Sequence, residues 1–420
     1  MKILWDFLNG FVFLYPLYMS FVWTVGAIVF YIHREVKPLD PVLDKYPFFS
    51  VIVPAHNEAK CIEETVASLM VIDYPAYEVI VVDDGCTDKT REIVNRLGEQ
   101  YIKSLKIIHL MPNSGKSKAL NAGILLSSGE NILTVDADCI VDKNILKMMA
   151  WHFTKSSRVG AVTGNPRIRN RTSLLAKIQL GEYSSIIGLI KRAQRILGKV
   201  LTVSGVTAAY KRDAFVGCGL FDSDTVTEDI DMTWKLQRKG WDIRYEPRAI
   251  SWILSPETIK GLWQQRVRWA QGGLEVLKKH YRIWLDFRER RFWPVYLEYV
   301  LSTAWAFCLG SLVVSWVFLF LLYLTGIISS KPIQPFFPPA WAGSILALMC
   351  LVQALVSLFI DSKYENKTLL KYYFWIIWYP FFYWIISASA VFVGFFNVFL
   401  NKKGGISVTW ESPDRGLQAP

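Results

Sequence analysis

The chain divides into long apolar runs and one long polar stretch. Four runs are long and poor enough in charge to match the ~20 residues that a helix needs to cross a bilayer. Phe7 to Tyr31 contains no charged residue, and Val295 to Gly326 carries only Glu298, near its start. Ala340 to Ile360 is uncharged; so is Tyr372 to Leu400, which contains Pro380 and reads as one kinked span. The first run is longer than the apolar core of a secretory signal, and no small-residue cleavage site follows it. It reads as a retained anchor.

Between the first two spans the period of the pattern changes. FFSVIVP, YEVIVVDD, LKIIHL and NILTVDAD are short apolar runs of strand type. CIEETVASLM, TDKTREIVNRL and SKALNAGILLSS separate them with helical periodicity, and Thr87 stands where it could cap the second helix. This alternation predicts an α/β domain with a mainly parallel sheet and helices on both faces. Beyond about residue 160 the pattern is less regular. VGAVTG suits a strand, SLLAKIQLGEYSSIIGLIKRAQRIL one helix or two, and DIDMTWKLQRKG a helix ended by Gly240. GLWQQRVRWAQGGLEVLKKHYRIW is basic and aromatic, as segments at a membrane interface are. The resulting division is an anchor at 1–32, the α/β domain at 45–250 and an interfacial helical region at 251–294. Spans follow within 295–400 (about 295–326, 340–360 and 372–400), then a polar tail at 401–420.

Composition agrees with this division. The 420 residues are 52% hydrophobic and 15% aromatic, enough for one sizeable domain and several spans. The formal charge is +11, and the positive residues gather beside the spans. Lys278, Lys279, Arg282, Arg288, Arg290 and Arg291 precede the second span; Lys363, Lys367 and Lys371 precede the fourth; Arg34 and Lys37 follow the first. Positive loops stay cytoplasmic, which places 32–294 and 361–371 inside. Parity then puts the tail outside, a placement that Lys402, Lys403 and Arg415 oppose. Because the basic residues follow membrane edges and not one groove-binding helix, no nucleic-acid partner is expected. The six cysteines form no C-x-x-C pair and read as reduced thiols.

The candidate chemistry lies in the polar stretch. Asp136 and Asp138 follow an apolar run with one residue between them, so both side chains can point the same way. They suit either a solvated turn or a hard divalent cation held by oxygen ligands. Asp83 and Asp84 end another run before Gly85; they suit a local turn or a contact to a base or ribose. Pro54, Asn57 and Glu58 could line that same base pocket, with His56 as a structural residue. Gly115, Lys116 and Lys118 at a helix start favour phosphate, but the spacing is not that of an ATP-hydrolysing P-loop. No G-x-G-x-x-G follows the first strand, so dinucleotide binding is not indicated. Glu228 and Asp229 open a helix. They either complement its dipole or supply a general base. Gln265, Arg266, Arg268 and Trp269 sit on another helix, where an indole offers a flat platform to a sugar and arginine a two-point grip on diphosphate. A transporter would carry ionisable residues within its spans, and Glu298 alone is found there.

In order, PAHNEA, VVDDG, DAD, TED and QxxRW resemble the processive family 2 glycosyltransferases, which make cellulose, chitin, hyaluronan and poly-N-acetylglucosamine. GNPRIRN, SGVTAAYKR, TEDIDMTWKL, PETIKGLWQQRVRWAQGG, FIDSKYE and TWESPDRG narrow the resemblance to the bacterial poly-β-1,6-N-acetylglucosamine synthases of biofilm exopolysaccharide. The resemblance implies a GT-A-type nucleotide-binding domain in the bacterial inner or plasma membrane. It implies inverting transfer of GlcNAc from UDP-GlcNAc to a nascent polysaccharide, with export coupled to synthesis. It assigns Asp229, beside Glu228, as catalytic base. Asp136 and Asp138 would hold Mg²⁺ or Mn²⁺ on the diphosphate, and Asp84 with Asp83 would contact uridine. Pro54, Asn57, Glu58, Lys116, Asp136 and Arg268 would belong to the donor site. Gln265, Arg266 and Trp269 would shape the acceptor end. A small membrane accessory subunit is implied as well. Cys86 stands where this family usually has serine. The alternative within the family is transfer of another sugar, or of a single sugar to a lipid, which product length distinguishes.

Overall fold

The computed structural model describes residues 2–38, 41–330, 341–365, 368–376 and 379–400. Its strands are β1 (Phe49–Ala55), β2 (Tyr77–Asp84), β3 (Leu105–Leu110), β4 (Asn131–Val135), β5 (Ile140–Val141), β6 (Val159–Ile168), β7 (Thr207–Lys211) and β8 (Asp242–Ile253). They form one sheet in the order β3-β2-β1-β4-β7-β6-β8-β5. β3, β2, β1 and β4 run parallel, as do β6 and β8. β7 runs against both its neighbours and β5 against β8, so the sheet is mixed.

β1 is buried at every position. Val51 and Val53 enter a core with Val66 and Leu69, while Ile52 joins Ile80, Val82, Leu120 and Ile124 in a second core. Alternate strand residues point to opposite faces, so a strand covered on both sides must be apolar throughout. Each such side chain contributes roughly 1.5–3 kcal/mol on burial.

The later strands are less regular in sequence. β7 is the short run TAAYK, and β8 carries several charges and Pro247. The pairing jumps from Thr163↔Tyr245 to Asn165↔Ile250, leaving Glu246 to Ala249 in a bulge. Proline, which has no N–H, is tolerated there. The second helix begins at Thr90 and not at the Thr87 cap. Asp88 Oδ1 accepts from Thr90 N at 2.9 Å, whereas Thr87 N donates to Asn57 Oδ1 at 2.8 Å.

The run from residue 173 to 197 is two helices, Leu174–Glu182 and Leu189–Leu197, joined by a π-helical turn at Tyr183–Gly188. Ser173 Oγ caps the first, accepting from Ala176 N at 3.1 Å. Such π-helical turns are frequent at functional sites.

Among the described residues, four helices are long and apolar enough to cross a membrane: Ile3–Glu35, Trp293–Leu324, Gly343–Asp361 and Phe382–Phe399. Trp305 Nε1 donates to the Val12 carbonyl at 3.0 Å, joining the first two. The first packs along Leu189–Leu197 closely enough that a methyl at Gly26 would lie 2.8 Å from Ala193 Cβ. The last of the helices begins at Tyr379, so Pro380 falls in its first turn and not at a mid-span kink. Ahead of it lie a 3₁₀ turn at Thr368–Tyr372 and a short helix at Tyr373–Ile376 that packs Ile376 against Gly181. The tail at 401–420 and most of the 327–339 loop lie outside the described residues.

Candidate active site

The carboxyl ends of β1, β2 and β4 lie side by side, with β1 central. The strand order reverses there, and open α/β sheets bind ligands at such a point. β2 delivers Asp83 and Asp84, both fully buried. Asp83 accepts from Arg91 Nε at 2.6 Å, His109 Nδ1 at 2.8 Å and Cys86 N at 2.9 Å. Burial pushes its carboxyl up, but the bonds from Cys86, His109 and Arg91 outweigh burial and hold it below the usual range. Asp84 accepts from Ser114 N at 2.8 Å, Ser114 Oγ at 2.7 Å and Gly115 N at 2.9 Å. Its carboxylate thus takes the anion position at the start of the Lys116–Leu125 helix, where sequence had suggested phosphate. Gly85, at φ 64°, lets the turn pass so near that a Cβ would sit 2.5 Å from Asn113 N. Asp84 thus braces the loop at Ser114 and Gly115, while Asp83 fastens Arg91, His109 and the Cys86 turn.

Asn57, at φ 56°, braces the next turn through Oδ1, which accepts from Thr87 N at 2.8 Å and Asp88 N at 3.3 Å. Glu58 N donates to Thr90 Oγ1 at 2.8 Å, and Pro54 lies within β1 opposite Val82. Cys86 Sγ accepts from Asn57 N at 3.3 Å and donates to the Ala55 carbonyl at 3.4 Å. Burial, helped by Asp83, pushes this thiol up to about 12, so it stays neutral as a serine hydroxyl would.

Lys116, Asp136, Asp138, Glu228 and Asp229 line a single cavity of about 910 Å³. Gln265, Arg266, Arg268 and Trp269 line it too, on the Ile259–Lys279 helix. Residues 90 and more apart in sequence are therefore brought together. Pro54, Asn57, Glu58, Asp83 and Asp84 are not among those that line it.

Lys116 Nζ lies 2.7 Å from Asp136 Oδ1 and 3.3 Å from Glu228 Oε1. Burial alone would lower its pKa; Asp136 and Glu228 reverse that and hold the ammonium charged. Asp229 sits in the first turn of the Glu228–Arg238 helix. Its two oxygens accept from Gly205 N and Ile230 N, each at 2.9 Å. Gly205 is needed for this approach, because a Cβ there would lie 2.9 Å from Asp229 Oδ2. Burial first, then the adjacent Glu228 charge, push the Asp229 carboxyl up to about 6 against the pull of Lys116. A carboxylate raised in this way is a stronger base, yet largely ionised at neutral pH.

Arg266, in the middle of the QxxRW run, is buried and does not present its guanidinium to solvent. It donates to Glu182 Oε2 at 2.5 Å and Gln265 Oε1 at 2.9 Å, and its carbon lies 4.3 Å from the centre of the Trp269 ring. Trp269 is thereby held from one face. The Ile259–Lys279 helix reaches the Thr227 loop because Gly272 packs directly on the Thr227 side chain.

The same cavity is lined by Ser20, Glu298, Gln353 and Ser387, one from each of the four long apolar helices. It therefore runs from the carboxylates into the space between those helices. Glu182 and Lys191 also line it, and sequence reading had placed both in an ordinary helix. Nothing in the spacing of that run marks either side chain as facing a cavity. Burial holds Lys191 down to about 7, with Asp229 opposing.

The residues present fit a divalent cation. Asp136 and Asp138 supply hard oxygen donors, and the Lys116 ammonium marks a point where carboxylates from two elements converge on positive charge. Elsewhere, one grouping of three acids among the described residues, Asp222, Asp224 and Asp231, already surrounds Lys279 Nζ at 2.5, 2.8 and 3.1 Å.

A family model described as "Glycosyltransferase like family 2" matches residues 47–272. The chain is 38% identical over 420 residues to a poly-beta-1,6-N-acetyl-D-glucosamine synthase of Staphylococcus epidermidis, covering 97% of this chain and 98% of that one. It is 40% identical over 422 residues to the protein of the same name in Staphylococcus aureus strain COL, with the same coverage. Among solved structures it is similar to the mannosyltransferase PcManGT from Pyrobaculum calidifontis in complex with GDP-Man and Mn²⁺. The TM-score is 0.64 at 20% identity, covering 94% of this chain and all of the other, a likeness of fold of the GT-A type. The chain belongs to the family 2 glycosyltransferases.

Proposed function

We propose that the chain transfers GlcNAc from UDP-GlcNAc, with inversion, to a growing poly-β-1,6-N-acetylglucosamine chain, and that the polymer leaves through the spans. The reading is carried by one observation: the cavity that gathers Lys116, Asp136, Glu228 and Asp229 is also lined by all four long apolar helices. The near-full-length similarity to synthases of that polymer supplies the sugar and the linkage.

Asp229 takes the proton of the acceptor 6-hydroxyl, whose oxygen attacks the anomeric carbon opposite the departing UDP. One displacement turns an α donor into a β linkage. Base catalysis of this kind typically contributes about 10²–10⁴-fold. Gly205 N and Ile230 N fix the base in place. Asp136 and Asp138 would hold Mg²⁺ or Mn²⁺, which neutralises charge on a diphosphate. Lys116 and Arg268 face the same diphosphate, and Trp269, set by Arg266 and Gln265, receives the acceptor ring. Asp84 with Asp83 would contact the uridine, and Pro54, Asn57 and Glu58 would belong to the same donor site.

The domain lies on the cytoplasmic side, where UDP-sugars are made, with the four helices in the bacterial plasma membrane. The resemblance extends the proposal to a small membrane accessory subunit. The reading is tested by supplying membranes that contain the chain with a panel of UDP-sugars and determining the linkage of the product. A β-1,6-linked GlcNAc polymer supports it; a single added sugar, or a polymer only from another donor, overturns it.

A further inference from the structure

Lys191 is a buried amine in unusual surroundings. It is 5% exposed and lies on the Leu189–Leu197 helix, next to Arg192, which is bound to Glu35 and Asp361. Among the described residues no carboxylate lies within ion-pair distance of Lys191 Nζ. A buried amine without an ionic partner is costly to keep, and such groups persist mostly where they serve function.

Lys191 Nζ donates to Thr163 Oγ1 at 3.2 Å. That hydroxyl also accepts from Ser204 N at 2.9 Å, and the next residue, Gly205, donates to Asp229. Lys191 is therefore tied to the backbone that fixes the base. An ammonium has three N–H donors and a neutral amine two, so Thr163 leaves Lys191 with donor capacity in either state.

The amine also lies where the cavity passes from the sheet to the spans. Lys191 and Gln194, three apart on one helix face, both line the cavity. Gln194 Nε2 donates to Glu298 on the Trp293–Leu324 helix at 3.3 Å, while Lys191 is held at the β6 end. The residues proposed to face the diphosphate lie elsewhere: Lys116 opens the Lys116–Leu125 helix, and Asp136 and Asp138 sit in the loop after β4. A saccharide reaching Asp229 from the spans passes the Lys191 wall.

We propose that Lys191 is an acceptor-binding residue, donating a hydrogen bond to a hydroxyl or amide-carbonyl oxygen of the terminal sugar beside Asp229. The proposal rests on the transferase reading above and adds to it a second contact on the acceptor side. Its role is to hold the acceptor oxygen at the base; it does not grip the nucleotide.

The test uses the full chain in lipid nanodiscs, comparing wild type with Lys191→Met, which keeps the length of the side chain and removes its donors. Three quantities are read: UDP binding, UDP released from UDP-GlcNAc, and sugar incorporated into polymer. UDP binding should stay within about twofold of wild type, which also shows that the variant folds. Incorporation should fall about 10- to 100-fold, as loss of one charge-assisted hydrogen bond predicts. The share of UDP released without transfer should rise, because water replaces a poorly held acceptor. Unchanged incorporation overturns the proposal. So does loss of UDP binding in step with transfer, which would assign Lys191 to the donor or to the fold. A wild-type chain that turns over no UDP-GlcNAc counts against the transferase reading itself, and is distinguished by needing no variant to appear.

Discussion

Glu35 and Arg192, 157 residues apart, form a two-point ion pair with Nε–Oε1 at 2.7 Å and Nη2–Oε2 at 3.1 Å. Neither side chain is more than 1% exposed. Asp361 closes on the same guanidinium at 2.9 Å and on Arg167 of β6 at 2.6 Å. The ends of the first and third long apolar helices are thus fastened to the sheet through one buried cluster. A buried pair seldom adds much stability, but breaking it strands a charge. Arg192→Met leaves Glu35 and part of Asp361 without a cation and should destabilise the chain by about 3–5 kcal/mol. A thermal melt in detergent checks this; an unchanged midpoint would show that the cluster does not fasten the spans.

The base assignment predicts a pH dependence. Asp229 has its carboxyl pushed up to about 6, so it is protonated, and useless as a base, below that value. Transfer rate at low donor concentration should rise with pH through about 6 and then level, as a single base requires. Asp229→Asn removes that limb together with the activity, while UDP binding persists. A limb that survives in Asp229→Asn belongs to another group.

Arg266 is predicted to act through Trp269. Glu182→Gln removes the carboxylate that holds the guanidinium at 2.5 Å, loosening the ring stacked 4.3 Å away. Product chains should shorten, with UDP binding little changed. Trp269→Ala should show the same split more strongly. Equal loss of UDP binding and elongation in both variants would argue against an acceptor platform.

Gly272 marks a contact between the two motif-bearing elements. A methyl there meets the Thr227 side chain, so Gly272→Ala must part the Ile259–Lys279 helix from the loop that leads to Glu228 and Asp229. Transfer should drop about tenfold or more, because misplacement of about an ångström at a catalytic group has that effect. Wild-type turnover in this variant would show the approach to be incidental.

Much of the fold was legible because its first half obeys simple periods. β1, β2 and β4 are mostly apolar and buried, β3 is a short apolar run broken by Lys106 and His109, and Asp84 closes β2 as Asp136 follows β4. β7 and β8 were not legible. TAAYK is short, and the Pro247 bulge breaks the alternation that a strand is read by. Asp136, Asp138, Glu228 and Asp229 of the cavity were marked by their motifs, but the partners of Asp83 and Asp84 were not. Which backbone N–H a carboxylate binds depends on a loop meeting it from 30 residues away, as Ser114 and Gly115 do. Glu182 and Lys191 were missed for a related reason. Helical spacing alone cannot tell a charge that faces water from one that faces a buried cavity.

If these acids transfer sugar in a chamber continuous with the spans, synthesis and export are one process. To measure this, the purified chain is placed in sealed lipid vesicles with the polar domain outside and supplied with labelled UDP-GlcNAc and Mg²⁺. The account predicts labelled polymer inside the vesicles, protected from an added β-1,6-GlcNAc hydrolase, and none with Asp229→Asn. Polymer formed wholly outside, or made equally by Asp229→Asn, would contradict it.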